Sequence, residues 1–234
     1  MKLTYEELEQ QVKDLTQQLE ERPEIEFHPM YKFQHLLPYI DDPTPENTFR
    51  LGQEYEYYGQ TASAIGYYHK CAERTSDDLL AYESLLRMSI CFREQRDRKA
   101  HEKNNLLMAV ALKPERPEAY FLLSLVYERM AHEDNAEKWW DSYTYACIGE
   151  SVANNQRAIS DTKIEPLLTD IDYYGPHFFK FQQAVTLWWV GRCDDSREIF
   201  QELLKRKDYP ENVEELIKNN LSNLTKNKGR KQGL

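Results

Sequence analysis

Residues 45–71 read PENTFRLGQEYEYYGQTASAIGYYHKC. Counted from Pro45, Leu51 and Gly52 stand at the seventh and eighth places and Tyr55 at the eleventh. Gly59 falls in a turn, and Ala64, Tyr68 and Cys71 take the twentieth, twenty-fourth and twenty-seventh. That order is the packing pattern of a tetratricopeptide unit, about 34 residues folded as two antiparallel helices. Gly52 opposite Ala64 lets the two axes approach, and the aromatic rings fill the space beside them.

The same pattern recurs along the chain. A second unit starts near Tyr82, where RMSICF at 87–92 mirrors RLGQEY at 50–55. With one inserted residue, Ala109 and Pro114 fit the end of its second helix. Glu102 stands there in place of a small residue, which predicts a splayed hairpin. A third unit runs from Pro117 with Tyr120, Leu123, Ser124 and Tyr127, then Ala136, Trp140 and Tyr143. A fourth begins near His177 with Ala184, Leu187, Gly191, Ser196, Phe200 and Leu203, its helices over 177–190 and 194–206. Starts at 45, 82, 117 and 177 leave room for an insertion over about 151–175. The amphipathic stretch from Pro210 to Leu224, with Val213, Leu216, Ile217, Leu221 and Leu224 on one side, reads as a helix over 209–226 that caps the last apolar surface.

The expected fold is therefore all-α: a right-handed superhelical array of antiparallel helical hairpins over 45–208, a TPR-like α-solenoid. Ahead of it, Thr4 and Glu7 have capping-box spacing, and Tyr5, Leu8, Val12, Leu15 and Leu19 follow at heptad intervals. Residues 1–22 thus predict a coiled-coil-like helix that Pro23 ends. A helix this short is marginal alone, so its narrow apolar stripe needs a partner. A second copy of the chain, through residues 4–21, is one partner; the chain's own array is the other. Five prolines between 23 and 45 mark a linker, residues 23–44, holding one short helix.

The stretch from about Phe33 to Leu224 resembles the helical-repeat domain found behind a family-2-like glycosyltransferase domain in some bacterial, phage and giant-virus proteins. The matching features are Arg87-x-x-x-Cys91-Phe92, the run ALKPERPEAY at 111–120, DIDYY at 170–174 and WWVGR at 188–192. The catalytic domain of that family is absent from this sequence, and the heptad helix stands in its place. The resemblance implies a module freed from such an enzyme or working beside one.

Composition narrows the function. The chain is 41% hydrophobic and 30% charged, a globular balance, and its net charge of −10 opposes general nucleic-acid binding, which relies on neutralising phosphates. No apolar run is long enough to span a membrane, and the acidic N-terminus is unlike a secretory signal. The expected location is cytoplasmic, or a host's cytoplasm or a particle if the source is viral. The basic tail, 227–234 with Lys226 ahead of it, reads as a solubilising end. Cys71, Cys91, Cys147 and Cys193 lie inside helical patterns without a CxxC pair and read as apolar residues.

The residues offer little chemistry. Asp170-Ile171-Asp172 has the spacing with which glycosyltransferases hold a divalent metal, yet no βαβ pattern or Gly-rich phosphate loop precedes it. A loop cap is the simpler reading. The histidines show no metal-ligand spacing, and Asp77-Asp78 and Asp194-Asp195 sit where acids favour a helix N-terminus. No enzyme, metal or cofactor is expected.

The repeat register instead predicts an inner surface. It comprises Phe49, Gln53, Glu56 and Tyr57 from the first unit, and Leu86, Ile90 and Arg93 from the second. Phe121, Leu125, Glu128 and Arg129 come from the third, and Trp188 and Trp189 from the fourth. Aromatic anchors interleaved with acids and arginines suit a groove for a protein or peptide partner. The expected function is a non-enzymatic scaffold or adaptor. The alternatives are an accessory module for a separate glycosyltransferase, binding protein or glycan, and a viral structural or assembly protein.

Overall fold

The first long helix begins where Thr44 accepts a hydrogen bond on Oγ1 from the Asn47 N–H at 3.2 Å and Pro45 fills the first turn. The computed structural model describes residues 33–133, 136–158, 165–207, 209 and 211–226. The heptad helix with Tyr5, Leu8, Val12, Leu15 and Leu19, and the basic tail 227–234, lie outside them.

The body from His35 onward is all-helical among its described residues. A short α1 (Leu36–Asp41) leads into α2 (Pro45–Tyr57) and α3 (Thr61–Arg74). Then come α4 (Asp78–Glu94), α5 (Lys99–Leu112), α6 (Glu118–Glu133) and α7 (Lys138–Ala158). The last three are α8 (His177–Trp189), α9 (Cys193–Arg206) and α10 (Glu211–Lys226). Each helix packs on the next, and α2 also touches α4, as α6 touches α8. No described helix is long and apolar enough to cross a membrane.

Two turns are built alike. At Gly59, φ +70°, the Gln60 N–H donates to the Tyr55 carbonyl at 2.9 Å. At Gly191, φ +81°, the Arg192 N–H donates to Leu187 at 2.8 Å. Both close a helix with a left-handed residue that glycine adopts without strain. Asp77 caps α4, accepting from the Leu79 N–H at 2.8 Å, while Asp194 and Asp195 lie in the first turn of α9.

Small side chains sit at the helix crossings. Gly52, Ser89, Ser124 and Ala184 are buried on the first helices, and Ala64, Ser142 and Ser196 on the second. Glu102 takes the corresponding place on α5. The side chain is buried, its carboxylate bound by Arg129, with Leu106 and Ala109 fully buried beyond it. Burial outweighs the Arg129 charge and raises the Glu102 pKa.

The third hairpin departs from the sequence reading. Ala136 is exposed, Trp140 is largely exposed and Tyr143 is half-buried. Ser142, Ala146 and Gly149 face α6 and α8 in their stead. The Ser142 hydroxyl donates to the Ser124 carbonyl at 2.8 Å, just as Ser196 donates to Ala184 at 2.7 Å. The separation is 18 residues in one case and 12 in the other, so six more residues lie between the α6 and α7 crossing positions than counted, most of them in α6, which runs nine residues past Ser124 where α8 runs five past Ala184.

Two apolar clusters run through the body. The larger extends from Phe49 to Phe179; the smaller joins Ala184, Phe200 and Leu203 to Val213, Ile217 and Leu224 of α10, and Phe178 packs on both.

Candidate functional site

The site is a face of α4 and α6 on which the chain's own residues 165–174 lie. Two arginine–glutamate pairs build it. Arg87 of α4 directs Nε to Oε2 of Glu56 at 3.0 Å and Nη2 to Oε1 of the same carboxylate. Arg116, just before α6, repeats this on Glu118, with Nε to Oε2 at 3.2 Å and Nη2 to Oε1 at 2.6 Å. Such forks fix a guanidinium in one orientation. Each then turns its Nη1 group to the main chain. Arg87 Nη1 donates to the Asp170 carbonyl at 3.0 Å, and Arg116 Nη1 to the Glu165 carbonyl at 2.9 Å.

Between the arginines lies Glu83, fully buried. Its Oε2 accepts from the Leu168 N–H at 2.8 Å and its Oε1 from the Thr169 hydroxyl at 2.5 Å. Tyrosines brace the carboxylates from behind. The Tyr68 hydroxyl donates to Glu56 at 2.6 Å and the Tyr82 hydroxyl to Glu118 at 3.2 Å. Burial, then the adjoining carboxylate, pushes both phenols well above their ordinary pKa. Burial works against the charge on each guanidinium, and the paired glutamate more than restores it, so both pKa values rise. Both guanidiniums thus stay charged across the physiological range.

The segment adds apolar contacts. Ile171 is 5% exposed, and the Tyr173 ring lies 5.5 Å from those of Phe121 and Phe179. The cleft left beside it, about 290 Å³, is bounded by Arg116, Glu118, Pro166 and Ile171. That is at the bottom of the range for small-molecule sites, roughly 300–1,000 Å³.

Asp170 and Asp172 cap their own loop. The Asp172 N–H donates to Asp170 Oδ1 at 2.8 Å, and the Tyr174 hydroxyl reaches both carboxylates at 3.1 and 3.2 Å. Among the described residues no three His, Cys, Asp or Glu side chains stand together as a metal site. Burial raises the Cys71, Cys91 and Cys147 pKa values, which keeps these thiols protonated.

The inner-surface residues read from the sequence fall into three groups. Phe49, Leu86, Ile90 and Phe121 are core, with Phe49 1% exposed and Phe121 5%. For these four the expectation is corrected: neighbouring helices and, for Phe121, the Tyr173 ring cover the side chains expected to face a ligand.

Gln53, Glu56, Arg93, Leu125, Glu128, Arg129 and Trp188 are half-buried. Of these, Glu56 binds Arg87, Arg129 binds Glu102, and Glu128 accepts from the Gln182 amide at 2.7 Å. Tyr57 and Trp189 are exposed, and Trp189 stacks on Trp139 at 5.3 Å.

Arg87 and Arg116 were not among the residues read as the inner surface. The available signals were Arg116-x-Glu118 and Glu83 four places before Arg87, each an acid within reach of a base. Compared with known proteins, the chain matches no family model, and no curated protein matches it.

Proposed function

We propose that this chain is a non-enzymatic, TPR-like scaffold that binds an extended segment of a partner protein across α4 and α6. The four hairpins, with small residues at matched crossings, support a solenoid whose first helices line its concave side. One observation carries the functional reading. Arg87 and Arg116, each held by a fork on a glutamate, turn their Nη1 groups to backbone carbonyls five residues apart. Groups of this kind recognise a main chain in extended form and leave side-chain pockets to set specificity.

A displayed peptide library tests it. Selection on the full chain is expected to enrich peptides whose binding falls at least tenfold on the Arg87→Lys, Arg116→Lys double variant. Lysine keeps each charge for its glutamate and removes the fork that aims the donor. Peptides indifferent to both substitutions, or none enriched, would overturn the reading.

The exposed indoles of Trp140 and Trp189 favour a second reading, a glycan-contacting module beside a separate glycosyltransferase. Oligosaccharides that shift tryptophan emission in the wild type, and fail to in Trp189→Ala, would support it. A flat titration would end it.

A further inference from the structure

Residues 165–174 alternate in an otherwise helical body. Leu167, Thr169, Ile171 and Tyr173 turn inward, all buried or half-buried, whereas Leu168, Asp170, Asp172 and Tyr174 are exposed. The contrast is sharpest for neighbours: Leu168 is 70% and Tyr174 56% exposed beside Ile171 at 5%. Alternate burial sets one row of side chains down and the other in water, along a backbone that bends at Leu168–Thr169 and at Asp172, where φ is +61°. The contacts divide the same way. The inward side chains meet Glu83 and Phe121, while the carbonyls at 165 and 170 and the N–H at 168 meet Arg116, Arg87 and Glu83. The segment therefore lies on this face as a ligand would.

Resting on the scaffold reading, we infer that this face takes, in trans, a partner segment of the pattern Leu-x-Thr-x-Ile-x-Tyr, and that residues 165–174 are the resident competitor it displaces. The resident segment states the chemistry of the occupant. It has an apolar anchor at the place of Leu167 and a hydroxyl for the buried Glu83 carboxylate. A β-branched aliphatic residue fills the place of Ile171, and an aromatic ring lies over Phe121.

Of the outward positions, that of Asp172 holds φ +61°, which favours Asp, Asn or Gly there. No basic residue occurs between 165 and 174, so the partner segment is neutral to acidic. Because main-chain carbonyls and N–H groups recur whatever the side chain, an incoming segment can accept from both arginines and donate to Glu83 in the same way. It competes against a tethered copy at an effective concentration in the millimolar range, which lowers its apparent affinity by the fraction of time the face is vacant.

The probe is a labelled decapeptide, EPLLTDIDYY, the sequence of 165–174. Its control has the inward residues moved one place, so that they fall on the outward positions. Both are titrated by fluorescence anisotropy into the full wild-type chain and into a variant with Leu167, Thr169, Ile171 and Tyr173 all changed to Ser. The variant is expected to bind the in-register probe at least tenfold more tightly than the wild type does. It should prefer that probe to the control by a similar factor, and lose it when Arg87→Lys and Arg116→Lys are added.

Equal binding of the two probes, or of the in-register probe to wild type and variant, overturns the inference. If the variant does not fold, the wild type gives the answer by amide hydrogen exchange at a saturating millimolar concentration of the in-register probe. The Leu168 amide, bonded to Glu83, must exchange at least tenfold faster as the resident segment leaves. An unchanged rate overturns the inference. Library peptides that need both arginines but lack the alternating pattern also sink it, while leaving the scaffold reading intact. Loss of arginine dependence sinks both.

Discussion

The first and third hairpins reach one packing arrangement by different chain lengths. In α2/α3, Tyr55 stacks on Tyr67 with centroids 5.1 Å apart and planes 9° from parallel. In α6/α7, Tyr127 stacks on Tyr145 at 5.3 Å and 9°. The first hairpin closes through the left-handed Gly59, whereas the third carries its extra length mainly in a longer α6, ahead of the exposed Ala136 and Glu137. The added length is mostly helix, nine residues of α6 past Ser124 against five of α2 past Gly52, and extending a formed helix by a turn costs little. A mismatched crossing is more costly, since buried side chains must shift or leave a void. The constant in this array is therefore the packed pair of helices, and the count between them is free to drift.

The sharpest test of that equivalence is Phe49 against Phe121. Each is the buried ring near the start of its hairpin's first helix. Phe49 meets the Tyr68 ring at 5.2 Å, while Phe121 meets Tyr173 and Phe178 at 5.5 Å and Phe179 at 6.1 Å. Truncation to Ala is expected to lower unfolding free energy by about 3–5 kcal/mol in each case, with Phe121→Ala the larger loss. Urea denaturation measures it. A loss below about 0.5 kcal/mol at Phe121 would return this ring to the solvent face and break the comparison.

Next in size is the pair Gly149 and Gly52, which stand at crossings in the two hairpins. A β-carbon at Gly149 would lie 2.9 Å from Cβ of Tyr120 and closer still to the Phe179 ring. Backbone-anchored neighbours cannot yield, so Gly149→Ala is expected to cost about 3 kcal/mol. At Gly52 the nearest atom is the edge of the Tyr68 ring at 3.0 Å. Helix propensity recovers about 1 kcal/mol there, which leaves Gly52→Ala within about 1 kcal/mol of wild type. Thermal unfolding of both variants checks the order, and equal losses would contradict the geometry.

A smaller effect settles the register of the third hairpin. Ser142→Ala removes the bond to the Ser124 carbonyl and one acceptor of Gln182, and about 1 kcal/mol of stability should go with them. Ala136→Ser, at the exposed position, should change stability by less than about 0.5 kcal/mol. The reverse ranking in urea would restore Ala136 to the crossing.

These contrasts explain how far the sequence could be read. At Gly52, Ala64 and Tyr68 residue type and place agree, because a close crossing admits few side chains. Around 136 the same reasoning misleads. Ala136, Trp140 and Tyr143 imitate the pattern, and only the packing of Ser142 on Ser124 reveals the shift. The site was harder to see. Glu56 and Arg87 are 31 residues apart, and the Asp170 carbonyl that Arg87 holds is 83 from it. Helical periodicity carries no trace of such a contact. The inner-surface register also assumed an empty face, so Phe121 looked available, whereas an inserted segment covers it.

Two glycines of the first hairpin give effects of opposite sign, neither above about 1 kcal/mol. Gly59 holds φ +70° at the end of α2, where a β-carbon has space but the backbone conformation is strained for any L-residue. Gly59→Ala should cost about 1 kcal/mol. Gly66 lies inside α3, where an added β-carbon would meet nothing within 4 Å, so Gly66→Ala should gain about 0.5–1 kcal/mol from reduced unfolded-state entropy. Differential scanning calorimetry should place the two melting temperatures on opposite sides of wild type. The described residues of the α6–α7 connection include no glycine, so opposite signs would show that the turn of the first hairpin depends on its left-handed residue. Matching signs would mean that α2/α3 owes nothing to its left-handed glycine, and that its tight closure has another cause.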